Sequence, residues 1–300
     1  MTTKPPVGVT DILAPKSVDE FLAEQAKPPE AITTPFPSLN RVCGGIGGRI
    51  GIGMGGHITI GGDTGGYKTL LVGNLAAHAA LCGVNVGFCS LEMSREELQE
   101  RVLANVCRKP VAKIERGSLD ADTRIAIGDE VRSIEGLIGK FYVNEDGISK
   151  LDDIVRLMEH YHELECKMLV VDYMQLVAAP SVSLVDRITD VSRTVRDFAR
   201  SHHVVTIGVS QITREAAKNR REPPTIESLY GGRSLETDSN MVLLLDHSRY
   251  DRPPGSPVAR TYLIIAKNRR GDWPVHIPIE VDHETLTIRE GLLDEEDLWP

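Results

Sequence analysis

The sequence predicts an α/β fold with a largely parallel, twisted sheet flanked by helices and a C-terminal antiparallel hairpin. Short apolar runs rich in β-branched residues recur along the chain, and segments with the period of an amphipathic helix lie between several of them. Strands that alternate with helices favour parallel pairing with helices on both faces. The predicted strands are residues 57–60, 84–91, 168–173, 203–210, 241–246 and 261–266, and the predicted helices are 68–82, 94–107, 151–165 and 184–201.

The two ends of the chain depart from this alternation. Residues 275–281 and 285–288 predict the antiparallel hairpin that closes one edge of the sheet. A glycine-rich connection over 44–56 leads into the first strand. We therefore expect three segments. They are a proline-rich N-terminal arm over 1–35, a main domain over 36–290 and an acidic tail over 291–300. Within the arm, residues 18–26 form either a short helix capped by Ser17 or a loosely ordered tail.

Composition indicates a globular protein of a reducing compartment. With 300 residues, 41% hydrophobic and 26% charged, the chain can build a substantial core. Its five cysteines form no C-x-x-C pair, which argues against a disulfide framework or a zinc site. A net charge of −9 argues against a surface broadly coated for nucleic acid but allows a local basic patch. No leader and no membrane-spanning run is evident, so we expect a cytoplasmic protein without a membrane partner.

The connection between the first strand and the first helix carries a phosphate-binding signature. The sequence GGDTGGYKT at 61–69 matches G-x-x-x-x-G-K-[ST] except at Tyr67, where the pattern has glycine. Strand, glycine-rich loop and helix together aim backbone N–H groups at phosphates. We expect Lys68 to reach the β- and γ-phosphates of ATP and Thr69 to place its hydroxyl on Mg²⁺. The predicted nucleotide-binding residues are Gly62, Asp63, Thr64, Gly65, Gly66, Tyr67, Lys68 and Thr69.

Tyr67 leaves two conformations open. If the position requires a positive φ, the bulky side chain strains the loop. If Gly65 and Gly66 absorb the bend, Tyr67 begins the helix with ordinary dihedral angles and its ring points away from the phosphates. We favour the second arrangement.

Two acidic residues follow neighbouring predicted strands. Asp172 ends the apolar run KMLVVD and is suited to hold Mg²⁺ through its water shell. Glu92 follows the run FCSL, where it would activate or orient water for hydrolysis. The alternative for Glu92 is a cap for the helix that starts near Ser94. We favour catalysis.

Six motifs follow one another in order along the chain: PFPSLN (35–40), SLEMS (90–94), VVDYMQL (170–176), VSQITR (209–214), SLETD (234–238) and AKNRRG (266–271). Together they resemble the ATPase domain of the DnaB-like hexameric replicative DNA helicases, a branch of the RecA-like P-loop NTPase fold. The resemblance covers residues 33–290. Because the family's primase-binding N-terminal domain has no counterpart in this sequence, we expect a stand-alone helicase of the phage or plasmid type.

The resemblance implies further catalytic residues. Gln211 would sense the γ-phosphate and couple its loss to DNA-binding loops. Lys267 and Arg269 would project into the nucleotide site of a neighbouring subunit, with Arg269 as the arginine finger. The alternative for these two cations is a solvated basic turn at a strand end.

DNA contacts are expected from loops that face the centre of a ring. One is Tyr230-Gly231-Gly232-Arg233, in which Tyr230 stands where the family has a basic residue and Arg233 where it has glycine. Another is the loop around 178–186. Lys218 and Arg220 belong to a further basic cluster, for which a solvated loop is equally compatible.

The leading hypothesis is an ATP-driven, ring-forming helicase, expected to be a hexamer, that translocates on single-stranded DNA and unwinds duplex during replication. The alternative is a RecA- or RadA-like recombination ATPase that forms DNA-bound filaments. A third hypothesis, motivated by Tyr67 alone, is a scaffold that binds nucleotide without hydrolysing it. The acidic tail either solubilises the protein or docks on a basic partner such as a polymerase. A primase is the other candidate replication partner.

Overall fold

A single sheet organises the part of the chain that the computed structural model describes, residues 32–43, 55–135, 138–145, 147–269 and 271–292. Within these residues the sheet has nine strands in the order β3-β2-β4-β5-β1-β6-β7-β8-β9. They are β1 (His57–Gly62), β2 (Val86–Ser90), β3 (Phe141–Val143), β4 (Met168–Asp172), β5 (Val205–Gln211), β6 (Met241–Asp251), β7 (Val258–Asn268), β8 (Val275–Asp282) and β9 (Thr287–Glu290).

The first six strands of that order run parallel, as the alternation of strands and helices predicts. Every residue of β1, β2 and β4 is buried, because helices cover both faces of the sheet. This explains why these strands are continuous apolar runs in the sequence. The helices are α1 (Pro37–Cys43), α2 (Lys68–Leu81), α3 (Arg95–Val106), α4 (Val111–Glu115), α5 (Ala121–Ile134), α6 (Leu151–Glu163), α7 (Leu184–His202), α8 (Arg214–Lys218) and α9 (Gly232–Asp238), and 3₁₀ turns lie at Met174–Leu176 and Ile226–Ser228.

Two hydrophobic clusters stabilise the sheet, one on each face. Leu71 and Leu75 of α2 pack in the first cluster with Ile58 and Ile60 of β1. The second cluster joins α6 and α7 to the opposite face of the sheet. Burying each such aliphatic side chain contributes about 1.5–3 kcal/mol, so the two clusters fix β1 and β4, whose carboxyl ends carry the predicted site.

The strands that follow β6 form an antiparallel extension, defined here as β6 to β9. The expected hairpin is confirmed, since β8 pairs antiparallel with β9. The extension begins earlier than the alternation suggests, because β7 also pairs antiparallel with β6. Only residues 252–257 connect these two strands, too few for the helical crossover that a parallel pair needs.

Within the described residues, six elements lie where no element is predicted, namely α1, α4, α5, α8, α9 and β3. β3 has three residues at the edge of the sheet, and α4 and α5 precede it. None of the described side chains of α5 is buried, so its sequence lacks the apolar stripe that marks a core helix.

The segment before β1 is fastened to the core. Phe36 and Leu39 are buried, and the Asn40 side chain accepts from the backbone N–H of Thr34 at 2.8 Å. The predicted helix at 18–26, most of the glycine-rich connection and the tail from residue 293 onward lie outside the described residues. Among the described helices, none has the length and apolarity to cross a membrane.

Candidate nucleotide site and the opposite edge of the sheet

The glycine-rich loop leaves the carboxyl end of β1 and enters α2 at Lys68. It closes on itself through the backbone N–H of Gly66, which donates to the Asp63 carbonyl at 2.9 Å. A Cβ at Gly66 would lie 2.8 Å from that carbonyl oxygen, which explains the glycine. The loop therefore presents backbone N–H groups at a helix N-terminus, the arrangement that binds phosphate.

Lys68 is held inside this loop. Its side chain is only 7% exposed, and Nζ donates to the Asp63 carbonyl at 2.5 Å. Burial lowers the pKa of Lys68, and the nearby carboxylates of Asp172, Asp63 and Glu92 oppose that shift. A buried ammonium ion that bonds a neutral carbonyl can exchange this partner for a phosphate oxygen.

Asp172 ends β4 beside the loop and is 3% exposed. Burial raises the pKa of Asp172 to about 6, whereas a hydrogen bond from Thr69 and the charge of Lys68 act in the opposite direction. Among the described residues, Oδ1 of Asp172 has no hydrogen-bond partner. A buried carboxylate oxygen in need of a partner, next to a hydroxyl, fits a hard cation such as Mg²⁺.

Glu92 lies just after β2 and is exposed. It is not the cap of α3, because Ser94 is the N-cap and forms a capping box with Glu97. The pattern S-x-x-E at 94–97 carries this signal in the sequence. Burial raises the pKa values of Asp172 and Tyr173, and the charge of Glu92 adds to both shifts, so its carboxylate lies near the end of β4.

Gln211 ends β5 directly opposite Gly62 of β1. Burial raises the pKa of Tyr173, and a hydrogen bond between the Gln211 side chain and the Tyr173 phenol opposes that rise. Sequence reasoning assigns no role to Tyr173, although it follows Asp172 directly. The structure thus brings Gln211, Glu92 and Asp172 around one tyrosine at the carboxyl edge of the sheet.

The expectation of ordinary dihedral angles at Tyr67 is wrong. Tyr67 is left-handed, with φ 64° and ψ 13°, and Gly65 also has a positive φ of 71°. The residue before Lys68 has to turn the chain into α2, and Gly65 does not complete that turn alone. A left-handed conformation costs an L-residue about 1–2 kcal/mol. The Tyr67 ring lies against Tyr250 and His283 of the antiparallel extension.

A cavity of about 220 Å³ lies beside the loop. Arg220 lines it and pairs with the Asp63 carboxylate at 3.2 Å. Arg220, expected at the DNA, is therefore placed against the phosphate loop. Asp246 and His247 also line this cavity and were not predicted from the sequence, because they lie in the middle of a strand.

The glycine loop expected to bind DNA adjoins Gln211. The backbone N–H of Tyr230 donates to the Gln211 carbonyl at 3.2 Å. Gly231 has φ 73° and precedes α9, whose second residue, Arg233, is exposed. Lys218 is exposed at the end of α8. Gln211 and this loop are thus joined by a backbone hydrogen bond.

Lys267 and Arg269 lie at the opposite edge of the sheet. Arg269 donates to the Thr237 carbonyl at 2.6 Å, and the Lys267 ammonium ion donates to the Glu236 carbonyl. The Arg269 backbone bonds Asn240, which in turn bonds His57 at the start of β1. The phosphate loop begins at the other end of this strand, about 16 Å away for five steps of 3.3 Å. The two cations therefore lie far from the nucleotide loop of their own chain.

A mostly parallel sheet with this loop after β1 and a buried aspartate at the end of β4 defines a P-loop nucleotide-binding protein of RecA-like fold. Solved structures share the fold. One solved ATPase domain has a TM-score of 0.76 and 19% identity, covering 91% of this chain and 96% of that domain. A DnaB-like replicative helicase, solved for its interactions with primase, has a TM-score of 0.75 and 18% identity, covering 94% and 67%.

The profile of the DnaB-like helicase C terminal domain family matches residues 31–286, and the chain belongs to this family. A "Probable plasmid replicative DNA helicase" of Chlamydia trachomatis is 26% identical over 212 residues, 68% of this chain and 44% of the relative. The replicative DNA helicase DnaB of Haemophilus influenzae is 28% identical over 211 residues, 68% and 45%. The chain thus spans less than half the length of these curated relatives.

Proposed function

We propose that this chain is an ATP-driven motor that assembles as a ring, a hexamer, translocates on single-stranded DNA and unwinds duplex during replication. One observation carries the proposal. The lysine, hydroxyl and carboxylates of a hydrolytic site converge at the carboxyl edge of the sheet, whereas the candidate arginine finger lies at the opposite edge. A chain arranged in this way has the parts of a site that a second copy completes.

At the carboxyl edge each residue has a defined task. The loop N–H groups and Lys68 bind the phosphates of ATP. The Thr69 hydroxyl and the Asp172 carboxylate would hold Mg²⁺, which when bound neutralises phosphate charge. Glu92, exposed beside Asp172, orients and deprotonates the attacking water. Lys267 and Arg269 of a neighbouring copy would stabilise the charge on the transferring phosphoryl group.

Coupling to DNA runs through Gln211. Its side chain adjoins the nucleotide site at Tyr173, and its backbone holds Tyr230. In this proposal Gly231 and Gly232 let the backbone approach DNA phosphates, and Arg233 and Lys218 supply charge. The contact of Arg220 with Asp63 favours a role at the nucleotide for that residue instead.

The experiment that tests the proposal combines DNA-stimulated ATP hydrolysis with unwinding of a forked duplex. We expect hydrolysis that single-stranded DNA accelerates, and strand separation that requires ATP. Electron microscopy of the assembly distinguishes the recombination ATPase, for which filaments without unwinding are expected. Family membership favours the helicase over that alternative. Binding of ATP without turnover would instead support the scaffold motivated by Tyr67.

Replication partners are a further part of the proposal. The solved DnaB-like helicase interacts with primase, and we infer that this chain also engages a primase or a polymerase, in the cytoplasm of a bacterium or a phage-infected host. Deletion of residues 294–300 tests the acidic tail as the docking segment. Weaker partner binding with unchanged ATP hydrolysis is expected, and unchanged binding would exclude the tail.

A further inference from the structure

The hydroxyl of Tyr67 makes two hydrogen bonds outside the phosphate loop. It lies 3.0 Å from the Tyr250 hydroxyl and 3.0 Å from Nε2 of His283. The Tyr67 ring stacks on Tyr250 with centroids 6.0 Å apart and meets the His283 ring edge-on at 5.4 Å. A hydroxyl has one proton and two lone pairs, so both bonds are satisfied at once.

These partners belong to the antiparallel extension. Tyr250 lies near the end of β6, and His283 lies in the turn between β8 and β9. Further along α2, the Asn74 side chain donates to the Leu286 carbonyl at 3.0 Å and accepts from the Ile288 backbone at 2.8 Å. The phosphate loop and its helix are therefore tied to the same turn region at two points.

Asp63 of the loop is bonded by Gly66, Lys68 and Arg220, but the tip of the loop is open. Thr64 and Gly65 are exposed, and no atom lies within 4 Å of a Cβ built at Gly65. The Tyr67 side chain, by contrast, packs against the hydrophobic core. A glycine would adopt this left-handed conformation without strain. A tyrosine is disfavoured in this backbone conformation, so the contacts of its side chain have to stabilise the conformation.

We infer that Tyr67 is a positioning residue that ties the phosphate loop to the antiparallel extension and so preorganises the loop for nucleotide. Its hydroxyl, rather than the backbone freedom of a glycine, keeps the loop N–H groups aimed at the phosphates. The inference rests on the proposed function, because it assumes that the loop binds ATP.

The test compares Tyr67→Phe and Tyr67→Gly with the wild-type chain in binding of a non-hydrolysable ATP analogue with Mg²⁺, measured by calorimetry. Removal of the hydroxyl should raise the Kd about three- to tenfold, the effect of losing one or two hydrogen bonds. Tyr67→Gly should bind no better than Tyr67→Phe, although it relieves the backbone strain. In hydrolysis assays KM should rise with kcat changed by less than about twofold, because preorganisation acts on binding.

Tyr161→Phe is the matched control. It also removes one phenolic hydroxyl, which donates to the Phe88 carbonyl at 3.1 Å on the other face of the sheet. This variant should melt at a lower temperature with an unchanged Kd. Hydrogen exchange of the amides of residues 62–67 should accelerate in Tyr67→Phe and not in Tyr161→Phe.

Two outcomes overturn the inference separately from the function. If the wild-type chain binds the analogue and Tyr67→Phe binds with the same Kd, the tie does not position the loop. If Tyr67→Gly binds the analogue with a lower Kd than the wild-type chain, the inference is likewise overturned, and the tyrosine only strains the loop. If the wild-type chain does not bind the analogue, the proposed function fails and the inference fails with it.

Discussion

The two edges of the sheet are built in opposite ways. At the carboxyl edge Lys68 and Asp172 are almost fully buried, and the pKa values of both are shifted toward the neutral forms. At the opposite edge, where the parallel strands begin and which we call the amino edge, Arg269 is exposed and donates to a backbone carbonyl. A neutral carbonyl is a weaker partner for a guanidinium than a phosphate, so this contact is easily exchanged.

The difference suggests how copies would assemble. In the proposed function the carboxyl edge binds the substrate. The amino edge offers the positive charge of Arg269 and Arg200, which line a cavity of about 290 Å³, and of the nearby Lys267. Joining one edge to the other edge of a second copy is a head-to-tail contact, which generates a ring when the rotation between copies closes and an open filament when it does not. The comparison predicts that substitutions at the carboxyl edge and substitutions at the amino edge impair different measured activities.

The largest effect is expected from Arg269→Ala, which removes the cation from the amino edge. ATP hydrolysis should fall by about 10³-fold or more, because the arginine finger stabilises the transition state. Nucleotide binding by the carboxyl edge should be retained. Steady-state hydrolysis with single-stranded DNA and calorimetric binding are the measurements, and Arg260→Ala, an exposed arginine at the other end of β7, is the control.

A mixing experiment shows whether the two edges meet between subunits. Lys68→Ala and Arg269→Ala proteins are each expected to be inactive. In an equimolar mixture about a quarter of the sites in a random ring should combine an intact loop with an intact finger. Activity that stays at the level of the single variants would contradict sharing, and near-normal turnover of Arg269→Ala alone would remove the finger assignment.

Glu92→Gln is expected to have the next largest effect, this time at the carboxyl edge. The amide cannot accept the proton of the attacking water, so hydrolysis should fall about 10²- to 10⁴-fold while ATP binding and thermal stability stay unchanged. Single-turnover hydrolysis measures the chemical step. Glu96→Gln, on the first turn of the next helix, serves as the control. A Glu92→Gln protein that turns over normally would assign the base to another residue.

The carboxyl edge was largely predictable from the sequence, and its contacts were not. The glycine-rich loop and Asp172 lie at the ends of apolar runs, and a strand end is a local signal, whereas the role of Gln211 was implied only by the resemblance to the family. The glycine that the pattern has at position 67 is a local signal for a positive φ, whereas the contacts of Tyr67 with Tyr250 and His283, which are distant in the chain, have no local signal.

The same reason explains the other differences. The pairing of Arg220 with Asp63 joins residues 157 positions apart. The direction of β7 depends on the length of a connection, which the apolar run itself does not encode. The cap at Ser94 was detectable, because its capping box is a four-residue pattern that competes with Glu92 for the same role.

A pH effect of about tenfold tests the buried carboxylate of the carboxyl edge. Because burial raises the pKa of Asp172 to about 6, the side chain takes up a proton as the pH falls through that value. The Mg²⁺ concentration that half-saturates binding of an ATP analogue should therefore rise about tenfold between pH 7.5 and pH 5.

Two controls isolate this effect. The affinity of the free analogue for Mg²⁺ is measured in buffer at both pH values, and the change in half-saturating Mg²⁺ is corrected for the change in that affinity. Asp152→Asn, an exposed aspartate of α6, should behave as the wild-type chain, whereas Asp172→Asn should bind Mg²⁺ weakly at both pH values. An unchanged half-saturation in the wild-type chain would mean that Asp172 does not hold the cation.

The smallest effect, Ser94→Ala, separates folding from catalysis within the carboxyl edge. Ser94 accepts from the Glu97 backbone N–H at 3.2 Å, and the Glu97 carboxylate accepts from the Ser94 N–H at 2.9 Å. Removal of the cap should lower the free energy of unfolding by about 1 kcal/mol, measured by chemical denaturation, and leave hydrolysis within about twofold of the wild-type rate. Glu92→Gln should give the reverse pair of results. If Ser94→Ala lost hydrolysis as severely as Glu92→Gln, then the orientation of α3 would control catalysis, and Glu92 would act through the helix rather than on water.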